Sequence, residues 1–148
     1  MTVASRKTVR DALSTALETA YGSAIAAIYP YMKTAFEGTS PVVRILNDGS
    51  NRPMRAGHIP QPLGSKFRYI VQHFVLFKEQ GESDEQAAAE DKVDELESTL
   101  SQFIADNNQV PGSWKMIQQV DFSEPVLVKI GGYQYILEVF SIEVTVDG

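Results

Sequence analysis

At 148 residues the chain fits one domain able to bury its own core, and the absence of cysteine excludes disulfides, a thiolate nucleophile, Cys-ligated zinc and an iron–sulfur cluster. Thirteen basic against nineteen acidic residues give a net charge of −6, which opposes a general affinity for nucleic acid. No segment carries the apolar run of a membrane span. The stretch after Arg6, Lys7 and Arg10 lacks a signal-peptide core, so a cytoplasmic protein without a membrane partner is expected.

Val9, Leu13, Ala16, Leu17 and Ala20 recur at helical spacing and predict an amphipathic helix over 5–21, ended by Gly22. A short helical or turn segment is expected over 24–34, broken by Pro30. The run Pro41-Val42-Val43-Arg44-Ile45-Leu46 then reads as a strand stopped by Asn47-Asp48-Gly49. From there to Lys66 the Pro and Gly content predicts a loop over 47–66, longer than most connections in a compact domain.

A long strand follows, with Phe67, Tyr69, Val71, His73, Val75 and Phe77 on an apolar face and Arg68, Gln72 and Lys78 on a wetter one. Ser83 or Asp84 is placed to cap an acidic helix over 84–106, whose buried stripe is Ala87, Val93, Leu96, Leu100, Phe103 and Ile104. After Pro111 and Gly112, residues 114–120 read as a short strand. The final hairpin, 126–146, turns on Gly131-Gly132, where a two-residue link requires positive φ, and places Ile136, Phe140, Ile142 and Val144 on one face. The whole is an α+β fold with a mixed, mainly antiparallel sheet flanked by helices.

Catalytic patterns are missing from this order. His58 and His73 have no second ligand at metal spacing, no glycine-rich stretch matches a phosphate loop, and no Gly-x-Ser-x-Gly elbow frames a serine. No catalytic, cofactor-binding or metal-binding residue is expected. Charge is more informative: over 44–68 the five bases Arg44, Arg52, Arg55, Lys66 and Arg68 face Asp48 alone, a balance of +4. Over 79–106 ten acidic residues face only Lys92, a balance of −9. A basic loop and an acidic helix on one chain suit a head-to-tail contact between copies, with Arg52, Arg55 and Arg68 meeting Glu90, Asp94 and Glu97.

Taken together, the N-terminal helix, Pro41–Leu46, the irregular loop, Phe67-Arg68-Tyr69-Ile70-Val71, the acidic helix, Trp114 and the Gly-Gly hairpin resemble the tail terminator (tail completion) proteins of long-tailed bacteriophages over nearly the full chain. The resemblance implies a homo-oligomeric, hexameric ring at the head-proximal end of the tail. Its partners would be the tail tube protein and a head connector or neck protein, with DNA only as cargo passing through the lumen. It also implies a virion structural protein assembled in the host cytoplasm. Phe67, Tyr69, Gly131, Gly132 and Tyr133 are the expected contacts to tube or connector. Alternatives are another neck or minor tail protein such as a head–tail adaptor, or a small-ligand-binding enzyme domain with His73, Tyr69 and Arg68 lining a pocket.

Overall fold

Two helices lie on one face of a six-stranded sheet in the computed structural model, which describes residues 5–51, 65–78, 82–110 and 113–146. Helix α1 (Arg6–Tyr21) buries Val9, Leu13, Leu17 and Tyr21, and Gly22 closes it at φ 57° with its N–H on the Glu18 carbonyl. The expected turn or helix at 24–34 is instead a short 3-10 turn (Gly22–Ala24) and then strand β1 (Ala27–Tyr29), held parallel to β2 (Val42–Asn51). The Asn47-Asp48-Gly49 stop is likewise corrected. A bulge between Asn47 and Gly49 absorbs the extra residue, Gly49 takes φ 131°, and the strand continues to Asn51. Residues 52–64 lie outside the described residues.

Strand β3 (Ser65–Leu76) pairs antiparallel with β2 on one side and with the 14-residue β6 (Tyr133–Val146) on the other. It is therefore central. The far edge of β6 is shared by β4 (Met116–Gln119) over residues 142–145 and by β5 (Pro125–Ile130) over residues 133–138. Beyond β5 no further strand pairs among the described residues.

The main core lies between the helices and the sheet. Val43, Ile45, Phe67, Tyr69, Val71, Phe140, Ile142 and Val144 meet Leu13 and Leu17 of α1 and Val93, Leu96, Leu100 and Phe103 of α2 (Ser83–Asp106). Each large side chain buried there contributes roughly 1.5–3 kcal/mol. The Tyr69 hydroxyl donates to the Arg6 carbonyl at 2.7 Å and ties the start of α1 to the sheet. In α2 the cap is Glu82 rather than Ser83 or Asp84, and Ala89, not Ala87, completes the buried stripe. Asp84 and Glu85 occupy the first turn, where carboxylates favour the helix dipole.

A second cluster covers one end of the opposite face: Phe36, Val42, Phe74 and Tyr135, with Tyr29, Leu76, Val128 and Ile130 packed around them. Arg44 seals it. Its guanidinium lies 5.0 Å from the Phe74 ring centre and 5.8 Å from that of Phe36, while Nε donates to Gln72 and Nη1 to the Lys33 carbonyl, each at 2.7 Å.

Candidate subunit interface

Exposed apolar side chains occur along the outer edge of β5, as well as at Tyr31 and Met32. Phe122 is 99% exposed, Leu127 53% and Val126 46%, and all three belong to the β4–β5 connection or to β5 itself. Between β5 and the first half of α2 opens a groove of about 420 Å³. Phe77, Val93, Pro125, Val126, Leu127 and Ile136 are its apolar lining and Glu90 and Asp94 its acidic residues. The helix turns its apolar stripe to the sheet, so the intervening acidic positions fall on the side facing β5 and solvent.

Beside this groove lies a carboxylate inside the apolar face of β6. Ile136, Phe140, Ile142 and Val144 share that face with Glu138, which is 6% exposed. Its Oε2 accepts a hydrogen bond from the Ser123 hydroxyl at 2.9 Å, and its Oε1 has no partner. Burial pushes the carboxyl above the usual carboxylate range; the Ser123 bond opposes this, and the negative charges of Glu97 and Asp94 add to it. Lys92 pairs with Glu95 at 3.2 Å and Lys78 with Glu85 at 4.0 Å, which leaves Glu90 and Asp94 outside every ion pair among the described residues.

The expected interface residues divide. Glu90, Asp94 and Glu97 do come together on the β5 side of α2. Arg52 and Arg55 lie outside the described residues. Arg68 is used within its own subunit: it sits on the open face of the sheet, where its Nε is 3.3 Å from Glu143, and Glu143 also lies 3.7 Å from Lys66 and accepts from Gln118 at 3.2 Å. With Arg44 packed against Phe74, three of the five bases counted over 44–68 already have intramolecular partners.

The tube-contact expectation is corrected for two residues. Phe67 and Tyr69 are fully buried, because β3 is the central strand and its aromatic face is the floor of the core. Gly131, Gly132 and Tyr133 are exposed at the hairpin tip, and the Tyr133 ring packs against Gly38, where an added Cβ would stand 3.0 Å from Cε1. The pocket imagined for His73, Tyr69 and Arg68 does not form: the first two face the helices and Arg68 the other side of the sheet. His73 is a buried partner of the Tyr21 hydroxyl through Nε2, with Nδ1 unpaired, and burial lowers its pKa to about 3.

Sequence reasoning missed Glu138, Phe122 and Leu127. Glu138 is the one charged residue in the run Ile136, Glu138, Phe140, Ile142, Val144, Val146, so the interrupted alternation was its signal. Phe122 gave none, since a lone aromatic in a connection is equally often tucked into a core. Among the described residues no group of three His, Asp or Glu side chains is arranged to hold a metal ion, and no described helix is long and apolar enough to cross a membrane. No family model matches this sequence, and no curated protein matches it.

Proposed function

We propose that this protein is a phage tail terminator: a subunit that assembles into a ring, caps the head-proximal end of the tail tube, stops tube growth and offers a surface for the head connector. The observation that carries this reading is the exposure of Phe122, Val126 and Leu127 along an open sheet edge, near Glu90 and Asp94 of α2, which form no ion pair among the described residues. Apolar side chains so exposed beside a groove mark an association surface. An open edge also presents backbone groups to a neighbouring chain. The α+β architecture agrees with the resemblance drawn from the sequence, and the separation of His73 and Tyr69 from Arg68 weighs against a ligand pocket.

In this role the protein works without catalysis. It has to bind the last ring of a tube through one surface while presenting no template for a further ring, so shape and charge carry the specificity. DNA passes through the lumen only as cargo. The protein belongs to the virion tail and assembles in the host cytoplasm. Co-sedimentation with purified tail tubes tests this. Because each tube has one growing end, the bound amount is expected to follow the number of tubes and to stay constant when tubes of twice the length are used. Binding that doubles with tube length, or no binding, would contradict the reading.

A further inference from the structure

We infer that the ring closes by edge-to-edge pairing of sheets, with β5 of one copy adding to β1 of the next. This rests on the ring assembly proposed above and names the two surfaces that build it. The sheet is open, and its outermost strands, β1 at one edge and β5 at the other, each pair with a strand on one side only among the described residues. Exposed apolar side chains collect at the same two edges: Tyr31 and Met32 just past β1, and Phe122, Val126 and Leu127 at β5. The Tyr31 ring stands 5.7 Å from that of Tyr29, which keeps it beside its strand. An unpaired edge of this kind is a template for another strand. On β5, Pro125 and Lys129 bound the uncharged stretch Val126-Leu127-Val128, which matches the three residues of β1 in length. Proline has no N–H to donate and an edge lysine disfavours pairing, so together they confine the contact to that stretch.

Strand direction and register decide how the copies meet. β1 runs parallel to β2, and β2–β3, β3–β6 and β6–β5 are all antiparallel, so β1 and β5 point in opposite directions. When neighbours are related by rotation about an axis near the strand direction, β5 therefore meets the next β1 antiparallel, the stronger pairing. The two edges also lie at one level: Ala27, Val42, Phe74, Leu137 and Val126 are successive partners across the sheet. Ala27 then falls opposite Val126 of the neighbour, or opposite Val128 when copies are staggered by two residues, roughly 7 Å along the strand. Closed sheets carry such a stagger. Both registers keep the helices of every copy on one side, as a shift of one residue would not. One copy cannot make this contact with itself, because β2, β3 and β6 separate its own β1 from β5 by roughly 19 Å at 4.8 Å per strand. A contact between two different edges is heterologous, and edges at matched levels close a ring instead of growing a filament.

Because the chain has no cysteine, single substitutions report the contact directly. Full-length Ala27→Cys is mixed with Val126→Cys, or with Val128→Cys, in concentrated solution and on purified tubes, and the thiols are oxidised with diamide. A mixed disulfide is expected with one of the two β5 variants, and a chain carrying both substitutions should give a ladder of oligomers ending in a closed ring. Ser98→Cys, exposed on α2, is the control and should not crosslink to Ala27→Cys. Val126→Lys with Leu127→Lys blocks one edge and should lower the assembled mass in light scattering, with circular dichroism showing the fold intact. No mixed disulfide under either condition, equal crosslinking to the control, or a Val126→Cys chain that pairs with itself in preference to Ala27→Cys would overturn the inference, the last by indicating a two-fold β5 contact. Tube-end binding is a separate readout: a chain that caps tubes without this crosslink refutes these edges alone, and crosslinked rings that never bind tubes refute the terminator reading alone.

Discussion

The contribution of His73 to the stability measured by urea unfolding is expected to fall by about 1.4 kcal/mol for each pH unit below about 6.5, as the side chain becomes protonated in the unfolded chain and not in the folded one. The imidazole is fully buried against Phe140 and Tyr21, and burial holds its pKa at about 3, against 6.5 for a free side chain. Below 6.5 the unfolded state binds a proton that the native state refuses, so stability is lost on acidification until the folded value is reached. By pH 4.5 the loss is about 2 to 3 kcal/mol, a large fraction of the stability of a small domain. Glu138 works in the opposite sense, because its raised pKa lets the folded state take up a proton first as pH falls. A Tyr21→Phe, His73→Phe double variant removes both partners of the buried bond and should flatten the acid slope by about 1.4 kcal/mol per unit. Parallel slopes for variant and parent would show that His73 carries no such penalty.

Replacing Gly131 and Gly132 with valine is expected to cost about 2–4 kcal/mol, since each then holds a β-branched residue in the left-handed region at about 1–2 kcal/mol apiece. Their φ values are 59° and 83°, and the strands flanking them, Ile130 and Tyr133, are directly paired. A slip of one residue in β6 would carry Ile136, Phe140, Ile142 and Val144 to the opposite face and bring Glu143 into the core. Gly131→Asn, which tolerates the same conformation, is the control and should stay close to the parent. Denaturant midpoints for the three proteins decide it, and a double-valine chain unfolding at the parent midpoint would contradict the tight-turn account.

Most of the framework was legible because its signals are local. The α1 stripe, the acidic α2, the Gly-Gly turn and the apolar face of β6 each follow from periodicity and turn chemistry within one segment. What was misread depends on neighbours in space. Ala27–Tyr29 has no alternation to announce a strand and becomes one only by pairing with Val42–Arg44. Asn47-Asp48-Gly49 has the composition of a stop, yet the partner strand β3 carries the chain past it through a bulge. Phe67 and Tyr69 were expected to face a partner because their strand was read without its place in the sheet, and a central position turns the same side chains into core. At the candidate interface the acids of α2 were visible as a charge run. The groove was not, because its apolar lining comes from α2, β5, β6 and Phe77 just beyond β3 together.

The central claim, that this protein ends tail-tube growth, is tested most directly by the length distribution of tails in electron micrographs of particles made without its gene. Intact, DNA-filled heads and free tails of excessive or uncontrolled length are expected, with normal length and head joining restored when the native chain is supplied from a plasmid. Tails of normal length joined to heads in the absence of the protein would contradict the account.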